Sequence, residues 1–157
     1  MKIRTSYFYQ IRFFKPNMIP ISTCISDPAW YHDFTFDNKY LFKDKRGILN
    51  GKRAETIISQ GRTAVRIGNC PCNKKQYEEC IFLKQYQKNL KNIDFGTFYS
   101  KISYFADKYK EFEKINDEII LVFIVYEAPK NPCSERRAII NFFNENGIEC
   151  KELQYPL

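Results

Sequence analysis

Eight consecutive residues, Ile119-Ile120-Leu121-Val122-Phe123-Ile124-Val125-Tyr126, set the centre of any fold this chain adopts. The run is short, β-branched, aromatic and unbroken, which is the pattern of a strand buried on both faces. Glu127-Ala128-Pro129-Lys130-Asn131-Pro132-Cys133-Ser134-Glu135-Arg136-Arg137 follows it, and then an amphipathic segment from Ala138 to Asn146. The sequence therefore predicts strand, turn and helix in succession. The turn carries a thiol, a hydroxyl, carboxylates and two guanidinium groups to the C-terminal end of a central strand. Ligands of open α/β sheets bind at that place. The backbone N–H groups and dipole of the following helix favour an anion or a thiolate there.

Further elements surround this unit. Ile3 to Phe8 alternates and is predicted as the first strand, and Met18 to Ile25, bounded by Pro16 and Asp27-Pro28, as the second. Tyr9 to Phe14 reads as a short helix or turn. Gln76 to Leu90 is a helix candidate. The clearest helix starts at Asp94, whose carboxylate can accept bonds from orphan N–H groups. Phe95, Phe98, Ile102, Phe105, Tyr109 and Phe112 then recur at spacings of three and four, one apolar stripe facing a core. The last helix is expected from near Ser134 to Asn146-Gly147, and a final alternating strand from Ile148 to Tyr155. That order predicts a βαβ unit, its two strands a parallel pair joined by a right-handed crossover. The fold expected is a single α/β domain over residues 1–157, a mostly parallel sheet flanked by helices in a Rossmann-like three-layer arrangement. An irregular aromatic and basic loop at about 28–52 and a cysteine-bearing insert at about 68–80 interrupt it.

Composition narrows the class. Apolar residues make up 44% of the chain and aromatic residues 17%, enough for a sizeable core, which argues against disorder. No stretch nears the roughly 20 apolar residues of a membrane span. The N-terminus lacks the apolar segment of a signal peptide, so a cytoplasmic protein is the default expectation. Six cysteines in a reducing compartment are then free, catalytic or metal-bound in preference to disulfide-bonded. The net charge of +7 suits an anionic partner, although the basic residues are scattered.

Three constellations can carry chemistry. The first centres on Cys133. A free thiol has a pKa of about 8.5, and a helix N-terminus with nearby arginine lowers it. Arg136, one helical turn on, and Arg137 can grip an anionic group. Too few residues separate Cys133 from Arg136 for a phosphatase loop. The bland alternative is that Cys133 packs and Arg136 pairs with Glu127 or Glu135. Glu127 ends the buried strand, paired with arginine or placed for acid–base work. Thr5, Ser6 and Tyr7 end the first strand. If the two strands are parallel neighbours, these hydroxyls and Ser134 face the Cys133 turn. The second constellation is Cys70, Cys72 and Cys80, with Cys24, Cys133 or His32 as a fourth ligand; zinc or an iron–sulfur cluster fits that donor set, and packed thiols are the alternative. The third runs from Trp30 to Arg53, where aromatics interleave with Lys39, Lys43, Lys45, Arg46, Lys52 and Arg53. Such a stretch can stack bases and neutralise phosphates, or it is core with a solvated basic margin.

Several motifs also resemble a known family. They are Thr5-Ser6-Tyr7-Phe8, Ile19-Pro20-Ile21-Ser22 with Pro28-Ala29-Trp30, and Tyr126-Glu127-Ala128-Pro129 with Cys133 and Arg136. Together they resemble the domain-of-unknown-function 488 family across nearly the whole chain, in a branch with Asn-Pro-Cys-Ser-Glu-Arg. Cys70, Cys72 and Cys80 ahead of Phe82-Leu83-Lys84-Gln85-Tyr86 resemble an insert of that branch. Val125 stands where the family usually has a cysteine, and Ser134-Glu135 replaces its histidine. The resemblance implies an α/β domain with helices on a mostly parallel sheet and no settled reaction.

The leading expectation is a cytoplasmic protein with an anion-accepting pocket, binding or acting on a nucleotide or phosphate-bearing small molecule; whether it is an enzyme stays open. A second is a non-catalytic accessory or inhibitor protein, of the kind phage or mobile elements carry, gripping nucleic acid or a protein partner. A third is a metal- or redox-responsive module.

Overall fold

The structure, a computed structural model of the chain, describes residues 1–24, 27–31, 52–53, 81–131 and 134–157. Five strands, β1 (Lys2–Tyr7), β2 (Met18–Ser22), β3 (Lys52–Arg53), β4 (Ile120–Val125) and β5 (Cys150–Glu152), form one parallel sheet in the order β3-β2-β4-β1-β5. Three helices accompany them: α1 (Ile81–Lys91), α2 (Phe95–Phe112) and α3 (Arg136–Glu145). A 3-10 segment, Phe8–Phe13, leaves β1. This is the expected α/β sheet in three layers.

The apolar run is the middle strand. β4 pairs with β1 from Lys2↔Ile120 to Tyr7↔Val125, and with β2 from Met18↔Ile120 to Ser22↔Ile124. Both its edges are thereby occupied. That corrects the expected pairing of the last two strands. β5 runs parallel to β4 but bonds to the far edge of β1, with Ile3↔Cys150 and Thr5↔Glu152, because β4 has no edge left to offer.

Burial on both faces explains the unbroken run. Ile3, Ile19, Ile21, Leu121, Phe123 and Val125 point into a large cluster with Tyr86 of α1, Phe98, Ile102, Phe105 and Tyr109 of α2, and Ala138, Ile139, Phe142 and Phe143 of α3. Val122 and Ile124 point the other way, into a smaller cluster with Met18, Phe8, Ile11, Phe14 and Tyr31. Each such side chain contributes about 1.5–3 kcal/mol by leaving water.

Several boundaries differ from expectation. α1 begins at Ile81, and residues 76–80 lie outside the described residues. The α2 stripe is buried from Phe98 to Tyr109, but Phe112 at its end is half exposed, beyond the reach of the sheet. Asp94 sits at the N-cap but its side chain bonds no backbone N–H; it takes the Thr97 hydroxyl instead. β2 stops at Ser22, although the Thr23 N–H still reaches the Ile124 carbonyl at 3.1 Å. α3 starts at Arg136, two residues after Ser134, and ends as expected at Asn146-Gly147, where Gly147 has φ +81°. The last strand contracts to Cys150–Glu152. No helix among the described residues is long and apolar enough to cross a membrane.

Candidate functional site

The sheet opens at the C-terminal ends of β1 and β4. The chain leaves β1 through the 3-10 segment on one face, and leaves β4 towards α3 on the other. Neighbouring strands whose connections part to opposite faces leave a crevice between them, the usual ligand position of open parallel sheets. Tyr7 and Val125 are the last paired residues before that crevice.

On the helical face, two strands past the apolar core turn polar. Thr5 and Glu152 are register partners, and the Thr5 hydroxyl donates to Glu152 Oε2 at 2.6 Å. Arg136, the first residue of α3, is buried above them. Its Nε donates to the same Glu152 oxygen at 2.8 Å, and its Nη2 donates to the Glu127 carbonyl at 2.7 Å. One guanidinium thus ties the ends of β4 and β5 to the start of α3. The Ser134 hydroxyl accepts from the Arg136 backbone N–H at 3.2 Å and orders the helix entrance. Burial pushes the Glu152 carboxyl above the ordinary carboxylate range, against the opposing pull of the Thr5 hydroxyl and Arg136.

Tyr7 lies beside this network, its ring centroid 6.0 Å from the Arg136 guanidinium carbon, at the limit of a cation–π contact. The Gln10 side-chain amide donates to the Tyr7 hydroxyl at 2.8 Å. Ser6 does not join in. Successive strand residues point to opposite faces, so Ser6 turns away and hydrogen-bonds the Tyr155 hydroxyl at 2.9 Å. Burial holds that phenol up, to about 12. The expectation that Thr5, Ser6 and Tyr7 share one pocket is corrected on that ground.

Among the described residues, the buried Arg136 Nη1, Glu152 Oε1 and Gln10 Oε1 at this edge have no hydrogen-bond partner. Folded proteins leave few such groups, and each asks for a bound water, ion or ligand. Beside them a cleft of about 330 Å³ opens at the β4–α3 turn, lined by Pro129, Lys130, Asn131, Ser134, Arg136, Arg137 and Ile140. Lys130 and Arg137 are exposed and Arg136 is buried, so the cleft has a basic mouth and a guanidinium in its wall.

An aromatic rim borders the same edge. Tyr126 directly follows β4 and packs on Phe8 at 4.9 Å between ring centroids; Trp30 meets Phe8 edge-on at 6.0 Å. Phe8 is buried, but Trp30 is 49% and Tyr126 41% exposed. Tyr9, stacked on Tyr7 at 6.5 Å, carries the Arg12 guanidinium 3.8 Å above its own ring.

The predicted residues therefore separate. Thr5, Tyr7, Glu127, Ser134, Arg136 and Arg137 gather at the β4–α3 end of the sheet. Trp30 joins the rim, and Ser6 faces away. The pairing foreseen for Arg136 with the side chain of Glu127 or Glu135 is replaced by Glu152 and the Glu127 carbonyl. Cys133 lies outside the described residues, as do Cys70, Cys72, Cys80 and His32 and most of the stretch from Trp30 to Arg53. Among the described residues no group of three His, Cys, Asp or Glu side chains is placed to hold a metal. Cys24 is buried, its thiol 3.8 Å from the Ile124 carbonyl, and burial pushes the Cys150 thiol up to about 12. Sequence reasoning missed Glu152 and Gln10. No family model, curated protein or solved structure matches the chain.

Proposed function

We propose that the chain binds an anion, in the first instance the phosphate of a small molecule or nucleotide, in the cleft at the β4–α3 turn. The observation that carries this reading is the cleft itself: Lys130 and Arg137 at its mouth, Ser134 and Asn131 as neutral donors, and Arg136 in its wall with Nη1 unpartnered. A preorganised guanidinium beside the positive end of a helix suits phosphate oxygens. Arg136 acts mainly as the strut that holds the turn open. Arg137 and Lys130 supply the charge that meets the ligand. Cys133 stands in the sequence between the lining residues Asn131 and Ser134. A thiolate there is the candidate nucleophile should the protein prove an enzyme, and Glu127 the candidate acid–base.

Some of the residues that carry the resemblance to the domain-of-unknown-function 488 family lie at this edge: Thr5, the Glu127 carbonyl, Arg136, and Trp30 through Phe8. Reading the chain as a divergent branch of the family rests on those sequence motifs.

Calorimetric titration of the full chain with inorganic pyrophosphate at low salt tests the anion site. Arg137→Ala and Lys130→Ala, both at exposed positions, should each weaken binding about tenfold, the worth of one charge-assisted hydrogen bond. Absence of binding, or binding indifferent to both substitutions, overturns the proposal. If pyrophosphate binds, Cys133→Ser separates the two roles: a binding protein keeps its affinity and has no turnover to lose.

A further inference from the structure

We infer that the ligand of the cleft is a nucleoside phosphate, its base stacked on the shelf formed by Tyr126 and Trp30. This rests on the anion reading above and adds the part of the ligand that the cleft alone does not specify.

Two half-exposed aromatic rings lean on one buried ring, Phe8, with interplanar angles of 56° for Tyr126 and 90° for Trp30. Phe8 is fixed in turn by Tyr31, edge-on at 5.3 Å, whose hydroxyl donates to the Pro20 carbonyl at 3.0 Å. The rings are therefore held from behind, with 49% of Trp30 and 41% of Tyr126 exposed. Flat apolar surface presented by a rigid support is what base stacking uses. It tolerates any base, because each has a π-face.

The shelf and the cleft are joined by one peptide. Tyr126 precedes Glu127, whose carbonyl accepts the Arg136 Nη2 bond, and Arg136 lines the cleft. The shelf lies on the Phe8 face and the cleft on the α3 face, so a ligand with charge at one end and a flat ring at the other would engage both by crossing the C-terminal edge of the sheet. An aliphatic phosphate would make no contact with the rings, and an uncharged aromatic would make no use of the charge of Lys130. The net charge of +7 favours the approach of such an anion.

Trp30 is the single tryptophan of the chain, so its emission reports on the shelf alone. Titration of the full chain with adenosine 5′-monophosphate should quench that emission, and inorganic phosphate should bind without quenching. By calorimetry, the monophosphate should bind at least tenfold more tightly than inorganic phosphate. Tyr126→Ala and Trp30→Ala should each remove about tenfold of that advantage, within the usual worth of a stacked base, while inorganic phosphate affinity stays as in the native chain. A 5′-phosphorylated adenine hexanucleotide distinguishes the sources: much tighter, strongly salt-dependent binding indicates a strand end, and equal affinity a free nucleotide, both consistent with the inference. Phosphate binding with no gain from the nucleoside, or a gain indifferent to Tyr126 and Trp30, overturns the nucleoside inference and leaves the anion site standing. Failure of every phosphate probe overturns both.

Discussion

The two ends of the central strands carry the same chemistry and give opposite results. At the N-terminal end, the Met1 amino group meets Glu118 at 3.0 Å and Lys2 meets it at 3.5 Å, in water. The hydrogen bond from the amino terminus holds the Glu118 carboxyl below its ordinary range. At the C-terminal end, Arg136 meets Glu152 at 2.8 Å with both side chains mostly buried, and the Glu152 carboxyl rises instead. A partner at similar distance does not settle the sign; desolvation does. Solvated ion pairs cost little and add little. A buried pair carries a desolvation cost that can exceed its attraction. Among the described residues such a buried pair stands at the end where the crevice opens, beside buried polar atoms that lack a hydrogen-bond partner. That difference favours the anion site proposed at the C-terminal edge.

Breaking the buried pair should have the largest effect. Arg136→Met leaves Glu152 partly buried and without its cation, and should cost about 3–5 kcal/mol in urea unfolding. Replacing both partners, as Arg136→Met with Glu152→Leu, should recover most of that loss. A double variant as unstable as the single one would mean that the arginine matters for its contact with the Glu127 carbonyl alone.

The hydroxyl pair on the opposite face, Ser6 with Tyr155, offers an uncharged contrast to the Arg136–Glu152 pair. Ser6→Ala and Tyr155→Phe should each cost about 1 kcal/mol, and the double variant less than the sum, because they remove one shared bond. Strict additivity in a double-mutant cycle would contradict the pairing.

Acid sharpens the comparison further. The folded Glu152 carboxyl is raised, so the stability tied to it is complete below the unfolded carboxylate value of about 4.3 and is lost as pH rises through the folded value. Glu118 is lowered, so its contribution is present above the unfolded value and lost as pH falls through the folded one. The melting temperature of the native chain minus that of Glu152→Gln should therefore rise on going from about pH 7 to about pH 4, and the same difference for Glu118→Gln should fall. Parallel slopes would show that burial does not separate the two ends. At neutral pH Glu118→Gln should have the smallest effect of all, a midpoint shift near the error of the measurement that vanishes in high salt.

Much of this frame was legible because it repeats locally. The unbroken β4 run, the alternation of β1 and the Phe98–Tyr109 stripe each announce an element through spacing alone. Pairing is a different matter. Strand, helix and strand in succession suggest neighbours, and nothing in residues 119–155 says that β1 occupies the place between them. The same gap hid Glu152. In the alternating stretch Ile148 to Tyr155 it reads as a solvated position, and only the arrival of Thr5 from the other end of the chain and Arg136 from α3 makes it a buried partner. Ser6 was a lesser case, since strand alternation alone separates it from Thr5 and Tyr7. Arg136 was recognisable as a candidate site residue from its place after the strand, yet its partner was not among the nearby acids, because Glu127 offers its backbone and Glu135 lies against Thr23.

The central claim is that the C-terminal edge of the sheet receives an anion, and the most direct measurement is crystallographic. Crystals of the full chain soaked in tungstate, a heavy phosphate analogue, should show an anomalous peak in the cleft between Lys130, Ser134 and Arg137. A peak there in the native chain that disappears in Arg137→Ala is the predicted result. A cleft without a peak, in crystals where tungstate binds elsewhere on the surface, would contradict it.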